Sequence, residues 1–341
     1  MNNKKTVFFA IGVLLIILGV SMLIPFFVQI IYQEENSIFL SSAFVTSFIG
    51  ILLVLTNLAD NKKLNLQQAF LLTTLSWLSI AIFGCLPFMF SEINLTFVDA
   101  FFESMSGITT TGSTIITNLD NAPKSILIWR AILQWLGGIG IIVIAIAIFP
   151  ILKIGGMQLF QTEFSSKDEK VLPRTTKIAT GIGLVYLALT ILCAFLLFAT
   201  GLGTFDSIAH GMTIIATGGF STKDMSIGSF DSVSTEVVTI SFMIISSLPF
   251  ILLFQAMRGK VLDLFKNSQV HFFLMLIFFT TVVVTFWLQK YYEVDFLQSF
   301  RIASFAVVSI STGSGFSTYD FSVWGTFTTL LFLFLMLIGG C

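Results

Sequence analysis

Three short segments combine glycine with threonine and serine, and residues of these types suit the binding of a monovalent cation. The segments surround Gly112, Gly219 and Gly315. Glycine allows backbone dihedral angles that aim successive carbonyl oxygens in one direction, and a ring of such oxygens can replace the hydration shell of an ion. Small residues are also common in membrane helices, where they simply pack. One copy would therefore indicate little, whereas three copies in matched surroundings favour a pore.

The three segments belong to an internal repeat. Each lies in a charge-free stretch that is too short and too polar for a lipid-facing helix, at 104–119, 207–222 and 302–319, and the glycines are 107 and 96 residues apart. Asp99 and Asp206 stand thirteen residues before the first two glycines, where a carboxylate suits the N-cap and positive end of a short helix. Non-helical backbone at membrane depth must be buried in protein or line a water-filled path. The repeat therefore predicts a re-entrant half-helix followed by a Gly/Thr/Ser strand.

The elements that must hold these segments are membrane spans. Of 341 residues, 56% are hydrophobic and 10% are charged, whereas soluble domains carry about 25% charged residues. This composition excludes a soluble globular domain and a disordered chain. A net charge of −1 provides no basic field for nucleic acid. The three cysteines form no CxxC pair, so neither a disulfide framework nor a transition-metal site is expected.

Eight charge-free stretches reach the length of about 20 residues that a spanning helix needs. They are 6–32, 38–59, 64–91, 131–152, 178–205, 237–257, 270–289 and 321–341. The first is too long for a signal peptide and lacks an A-x-A site, so it is interpreted as a retained span. Prolines inside three spans, Pro25, Pro87 and Pro249, predict kinks.

The predicted fold class is an all-α polytopic membrane protein of repeated span–pore helix–span units, with eight spans and three re-entrant loops. The chain divides into two N-terminal spans, three repeats and a cytoplasmic connection. In chain order these are the spans at 1–63, the first repeat at 64–152, the connection at 153–177, the second repeat at 178–257 and the third repeat at 258–341.

Charge in the loops predicts the orientation. If the N-terminus is cytoplasmic and each stretch crosses once, the inside segments hold 12 basic and five acidic residues, and the outside segments hold five basic and 13 acidic. Basic residues favour the cytoplasmic side, so the N-terminus is expected inside. The acidic outer face would concentrate cations, although an ordinary solvated loop surface explains it equally well.

Polar residues inside the apolar stretches are candidates for function. Glu103 and His210 lie nine residues before Gly112 and Gly219, and bracing the half-helix against a neighbouring span is the preferred interpretation over a direct role. Arg130 and Arg301 are interpreted as bracing or interfacial residues in the same way. A membrane enzyme would need paired acids within spans, an H-E-x-x-H helix or a nucleophile with its base, and the sequence has none of these.

At these segments the sequence resembles the Trk/Ktr/HKT superfamily of potassium transporters, and specifically its TrkH-like bacterial branch. The matching stretches are FFESMSGITTTGS, ATGGFST and STGSGFST, together with RAILQWLGGIGIIV at 130–143 and GGMQLFQTEFSSKDEKVLPR at 155–174. The resemblance covers nearly the whole chain, and the two extra spans before the first repeat favour the TrkH-like branch. It implies units that each resemble one subunit of a potassium channel.

The resemblance also implies an ion-binding selectivity filter and a gate. The filter residues would be Thr110, Thr111, Gly112, Ser113, Thr217, Gly218, Gly219, Phe220, Gly313, Ser314, Gly315 and Phe316. Gly339 and Gly340 would begin the glycine-rich intramembrane gate. Family members with serine in place of the first filter glycine tend to conduct sodium, so Gly112 favours potassium by analogy.

The family has four repeats, and the sequence stops inside the second span of the third. It is therefore expected to be a C-terminally truncated copy that does not conduct alone. The resemblance implies potassium uptake across the cytoplasmic (inner) membrane of a bacterium, with potassium as substrate and no cofactor. It further implies a cytoplasmic nucleotide-binding regulatory subunit, a homodimer and surrounding membrane lipid, without nucleic acid. A sodium-permeable cation transporter and a non-conducting regulatory or structural fragment remain alternatives.

Overall fold

The computed structural model describes residues 5–34, 38–58, 66–152, 171–293 and 295–339, and all regular structure in these ranges is helical. In chain order the α-helices are α1 Lys5–Ser21, α2 Leu23–Tyr32, α3 Ile38–Thr56, α4 Leu66–Gly84, α5 Leu86–Phe90, α6 Phe97–Ile108, α7 Lys124–Leu152, α8 Val171–Ala199, α9 Thr204–Ile215, α10 Val233–Ser246, α11 Phe250–Met257, α12 Val261–Lys266, α13 Ser268–Tyr292, α14 Phe296–Ser311 and α15 Thr326–Ile338. Short 3₁₀ turns cover Leu119–Asn121, Ser226–Phe230 and Phe321–Trp324.

Five helical stretches in the described part of the chain are long and apolar enough to cross a membrane. They are Lys5–Tyr32, Ile38–Thr56, Gln67–Phe90, Ala179–Ala199 and Ser268–Tyr292, and a sixth is possible if the bent pair α10 and α11 counts as one span. Helix α7 reaches 29 residues. The chain is thus an all-helical protein with several apolar spans. The greater part of the predicted connection 153–177, namely 153–170, lies outside the described residues.

Two predicted spans differ from straight helices. The stretch predicted at 237–257 bends by 100° between α10 and α11, because Pro249 stands at the N-cap of α11 and proline cannot donate the backbone hydrogen bond that would continue α10. The stretch predicted at 321–341 starts with a 3₁₀ turn, and its helix covers Thr326–Ile338 only. The helices are also interrupted just before Pro25 and Pro87, at Met22 and Cys85. The kink predicted at Pro249 is therefore confirmed, and those at Pro25 and Pro87 stay predictions.

One compact unit comprises Met1–Ile116 and Asn121–Ala179. In it α1 crosses α3 so closely that a Cβ placed on Gly12 would meet the carbonyl oxygen of Gly50 at 2.7 Å, and one on Gly50 would meet that of Gly12 at 2.8 Å. Helix α7 docks through the buried Trp129, whose indole N–H donates to the carbonyl of Gly84 at 2.9 Å. Helix α6 packs against α4 and α7.

The other compact unit comprises Thr117–Asp120 and Thr180–Cys341. Helix α13 packs along α14, which also contacts α10 and α15. Trp287 on α13 donates to the carbonyl of Trp324 at 3.0 Å, and the Tyr292 hydroxyl donates to that of Val323 at 2.6 Å. The 3₁₀ turn before α15 is therefore anchored on α13. Helix α14 is enclosed by this packing along most of its length, since ten of its residues are buried.

Candidate functional site

Three short helices, α6, α9 and α14, precede the predicted filter and are called the half-helices here. Thr96 caps α6: its hydroxyl accepts from the backbone N–H of Asp99 at 3.3 Å and donates to the Asp99 carboxylate at 2.7 Å. Asp206 occupies the same third position in α9, where Gly203 is the N-cap. The expectation that these aspartates are N-caps is therefore wrong. Both stand in the first turn instead, where a carboxylate also offsets the positive end of the helix dipole.

All three half-helices end in the same hydrogen-bonded turn, a Schellman motif. Two backbone bonds close it in each copy. In the first bond a backbone N–H donates to the carbonyl oxygen five residues earlier: Thr111 to Ser106 (3.0 Å), Gly218 to Thr213 (2.9 Å) and Ser314 to Ser309 (3.0 Å). In the second, the N–H of the preceding residue donates to the carbonyl oxygen three residues earlier: Thr110 to Gly107 (3.0 Å), Thr217 to Ile214 (3.0 Å) and Gly313 to Ile310 (3.1 Å). The repeat seen in the sequence is thus a repeat of backbone geometry.

The turn places two left-handed residues in each filter segment, a name used here for 110–113, 217–220 and 313–316. The filter glycines Gly112, Gly219 and Gly315 have φ of 79°, 81° and 74°. Two residues earlier, Thr110 and Thr217 have φ of 55° and 51°, and Gly313 occupies this place in the third copy with φ of 71°. A β-branched residue with positive φ is a genuine outlier, and such backbone strain clusters at functional sites.

Left-handed residues change the direction in which the backbone carbonyl groups of a segment point. The carbonyl ends of the half-helices add a negative partial charge at the same place. Backbone carbonyl oxygens, which carry no formal charge, are the type of ligand that can replace the hydration shell of a cation. No group of three His, Cys, Asp or Glu side chains that could hold a metal occurs in the described ranges.

In the first repeat a buried carboxylate holds the chain just after the filter segment. Glu103 on α6 is fully buried and accepts from the Thr114 hydroxyl at 2.9 and 3.0 Å and from the backbone N–H of Ile115 at 3.1 Å. The same carboxylate pairs with Arg130 on α7, whose Nε lies 2.7 Å away and whose side chain is 1% exposed. Glu103 thus braces α6 against a neighbouring span, as predicted, and also ties down the chain just after the filter.

In the second repeat His210 takes the place of Glu103. Its Nδ1 lies 2.8 Å from the carbonyl oxygen of Asp206, and its Nε2 lies 2.9 Å from the Ser221 hydroxyl. Ser221 stands two residues after the filter glycine, as Thr114 does in the first repeat. The Asp206 carboxylate reaches the same strand by accepting from the Thr222 hydroxyl at 2.6 Å. In this repeat the bracing side chains therefore hold the residues just after the filter segment.

Serines six residues before the filter glycine brace the first and third repeats. Ser106 and Ser309 each donate at 2.6 Å to the carbonyl just after the glycine, that of Ser113 and of Phe316. These two carbonyls are thus engaged in bracing. Sequence reasoning missed the serines, although the recurrence of a hydroxyl residue at this position, with Thr213 in the second repeat, is a signal that could have revealed them.

The second and third filter segments meet inside one unit. A Cβ placed on Gly219 would lie 2.1 Å from the carbonyl oxygen of Ser314. Beyond the filter, the N–H of Gly228 donates to the carbonyl of Ser317 at 3.1 Å, and the N–H of Ser317 donates to the Ser226 hydroxyl at 3.3 Å. Only glycine fits at 219, so this contact requires glycine independently of its φ.

Charged residues follow the filter in the loop that contains Lys223. Its ammonium pairs with Asp120 at 2.9 Å, and the Asp224 carboxylate accepts from the N–H of Leu119 at 3.0 Å. The hydrogen bond from Lys223 lowers the pKa of Asp120. These contacts attach residues 117–120 to the loop after the second filter segment.

The structure also places the other residues predicted to matter, at the C-cap of α15, on α14 and in the filter segments. Gly339 is the exposed C-cap of α15 with φ of 53°, and Gly340 lies outside the described residues. Arg301 on α14 has its Nε 3.3 Å from a carboxylate oxygen of Glu236 on α10, so it also braces two helices. Gly313 and Gly315 are exposed, whereas Gly218 and Phe220 are buried.

Apolar helices of spanning length, together with half-helices that end in a common left-handed turn, define a multi-pass membrane protein. The TrkH family model, described as a cation transport protein, matches residues 34–341. The chain therefore belongs to the TrkH family of cation transport proteins, which are transporters.

Relatives support this assignment along the chain. The chain is 40% identical to the Trk system potassium uptake protein TrkH of Escherichia coli K12 over 338 residues, 97% of this chain and 70% of the relative. It is 33% identical to the Trk system potassium uptake protein TrkG of the same strain, covering 71% of that protein. The fold matches the crystal structure of the potassium transporter TrkH from Vibrio parahaemolyticus with a TM-score of 0.90 and 36% identity, over 99% of this chain and 70% of that one.

Proposed function

We propose that the chain takes up potassium across a cell membrane through a pore lined by its three filter segments. The observation that carries the proposal is the common turn, with positive φ both at the filter glycine and two residues before it in all three repeats. Relatives named as potassium uptake proteins, matched over 97% of the chain, support potassium as the substrate. Each potassium ion entering down the membrane potential gains about 2.3 kcal/mol per 100 mV.

The proposed ligands are backbone carbonyl oxygens of the filter segments. They replace the water that a potassium ion sheds, and the half-helix ends stabilise the ion electrostatically. Ser113 and Phe316 support the filter, because their carbonyls accept bonds from Ser106 and Ser309. The other members of the three segments supply or position the oxygens.

The proposed membrane arrangement has eight spans, with α6, α9 and α14 as re-entrant half-helices and the N-terminus in the cytoplasm. The loop charges support this orientation. The repeats are assigned to 64–152, 178–257 and 258–341, after the spans at 1–63 and on either side of the connection at 153–177. Gly339 and Gly340 are assigned to the gate, and a nucleotide-binding regulatory subunit and a second copy of the chain are the proposed partners.

Growth and flux test the proposal. In bacteria that lack their own potassium uptake, the chain joined to a fourth repeat should restore growth at low potassium, and rubidium uptake should rise. Failure of both would contradict potassium uptake, and equal sodium and rubidium fluxes would favour a sodium-permeable transporter.

Substitution of Gly112 by serine tests the filter assignment. At φ of 79° a side chain costs about 1–2 kcal/mol, so Gly112→Ser should shift the carbonyls and weaken the preference for potassium over sodium. Gly201→Ser is the matched control, because Gly201 has φ of 101° and lies outside the filter with open space around it. Unchanged selectivity in Gly112→Ser, or an equal loss in Gly201→Ser, would overturn the assignment.

A further inference from the structure

A cavity of about 930 Å³ opens between α10, α13 and α14. Its walls are mostly apolar side chains, among them Ile240 and Ile244 from α10, Ile277 and Phe278 from α13 and Val308 from α14. The volume falls in the range of pockets that hold small ligands. Because these helices belong to a membrane protein, the available apolar occupant is the hydrocarbon chain of a lipid.

The length of the cavity matches one leaflet of a bilayer. On α10 its lining runs from Val233, the first residue of the helix, to Ile244, a rise of about 16 Å at 1.5 Å per residue. Half of a hydrocarbon core is about 15 Å thick. The cavity therefore extends from the membrane surface at the N-terminus of α14 to about the midplane, and an acyl chain of the leaflet on that side fits it.

Charged groups lie at the surface end of the cavity. Arg301 and Asp295 are the charged residues among those that line it. Arg301 has its Nε 3.3 Å from Glu236 and donates from Nη2 to the Tyr319 hydroxyl at 3.1 Å. Arginine has five N–H donors and suits phosphate geometry, so these two contacts leave donors for a phosphate.

The local charge balance selects the headgroup. Asp295, which caps α14 by accepting from the N–H of Leu297 at 3.2 Å, is exposed. Asp295 in the cavity lining and Glu236 at Arg301 together set two carboxylates against the single guanidinium of Arg301. A headgroup with net negative charge would be repelled by this surplus. A headgroup that joins a phosphate to a primary ammonium satisfies both signs, with the phosphate at Arg301 and the ammonium at Asp295.

We propose that this cavity binds one zwitterionic phospholipid with an ethanolamine headgroup. One acyl chain lies between α10, α13 and α14, and the headgroup rests on Arg301 and Asp295. The site is separate from the filter segments. The proposal does not depend on the ion that the protein transports, because lipid binding is measured directly.

Native mass spectrometry of the full chain tests this proposal. Delipidated protein in detergent is titrated with phosphatidylethanolamine, phosphatidylglycerol or diacylglycerol. We expect one phosphatidylethanolamine to be retained per chain, phosphatidylglycerol to bind more weakly and diacylglycerol to be lost. Equal binding of all three would overturn the proposal, and equal binding of the two phospholipids would overturn the choice of headgroup.

Variants separate the headgroup contacts from the acyl-chain site. Arg301→Gln should weaken phosphatidylethanolamine binding about tenfold, as for the loss of one charged hydrogen-bond partner. The matched control is Arg258→Gln, which removes an exposed cation outside the cavity. Asp295→Asn should abolish the preference between the two phospholipids and still cap α14.

A third variant leaves the ion pair of Arg301 intact. Ser304→Trp fills the cavity from α14 and should prevent retention of the lipid. If Arg301→Gln binds lipid as Arg258→Gln does, or if Ser304→Trp retains it, the proposed site is wrong.

Discussion

Replacement of Glu103 by glutamine separates two roles of one buried carboxylate. Glu103 and Arg130 are 0% and 1% exposed, with 2.7 Å between the paired atoms. Breaking a buried pair from one side costs about 3–5 kcal/mol, because the other charge stays buried without its counter-ion. Glutamine keeps one accepting oxygen of similar shape, so we expect a loss of about 3 kcal/mol in stability, at the lower end of that range.

The filter segment loses support at the same time. Glu103 accepts from Thr114 and from the N–H of Ile115 through charge-assisted bonds, which contribute about 1.5–3 kcal/mol each. Loss of about 1.4 kcal/mol changes the ratio of braced to loosened filter about tenfold. Glu103→Gln should therefore lower the selectivity for rubidium over sodium, whereas Arg130→Met leaves the carboxylate on Thr114 and should lower stability alone.

Two assays on purified protein distinguish these effects. Thermal unfolding in detergent reports stability, and competition between rubidium and sodium uptake in liposomes reports selectivity. The double variant Glu103→Gln/Arg130→Met removes both charges, so its stability should recover toward that of the unmodified chain while its selectivity stays low. Wild-type selectivity in Glu103→Gln would refute the bracing of the filter. A double variant no more stable than either single variant would refute the ion-pair reasoning.

Three further substitutions test other contacts. Gly219→Ala places a methyl group 2.1 Å from the carbonyl oxygen of Ser314, so it should abolish rubidium uptake by separating two filter segments. Gly12→Val should lower the thermal stability by about 1–3 kcal/mol, since overpacking forces α1 away from α3. The hydrogen bond from Lys223 lowers the pKa of Asp120. This pair therefore stabilises the fold at pH above the unfolded-state pKa, and the stabilisation is lost as the pH falls through the folded-state pKa. Asp120→Asn should remove this part of the acid destabilisation in thermal melts.

Controls for these substitutions are available in the same chain. Gly140→Val adds the same side chain to a helix at a position with nothing within 4 Å, so it should leave the melting temperature almost unchanged. A similar loss in Gly140→Val and Gly12→Val would show that helix propensity, and not the crossing of α1 and α3, is responsible. An identical acid response of Asp120→Asn and the unmodified chain would contradict the assigned role of the ion pair.

The sequence predicted where the turns after the half-helices lie, but not the hydrogen bonds that hold them. Glycine at 112, 219 and 315 was expected to allow backbone angles closed to other residues, and all three have positive φ. Thr110 and Thr217 were not predicted to be left-handed, because β-branched residues disfavour positive φ and the hydrogen bonds of the Schellman turn impose it. The partners of Glu103 were equally hidden, since Thr114 and Arg130 lie eleven and 27 residues away. Only folding brings them to one carboxylate.

The three repeats reach one backbone geometry with different side chains. Nine residues before the filter glycine stand Glu103, His210 and Ala306. The first is paired with an arginine, the second bonds to a serine hydroxyl, and the third has no polar atom in its side chain. If side chains were the ligands, these substitutions would give each repeat a different chemistry. The shared feature is the path of the backbone, which favours backbone carbonyl oxygens as the ligands of the proposed ion site and gives the varied side chains a supporting role.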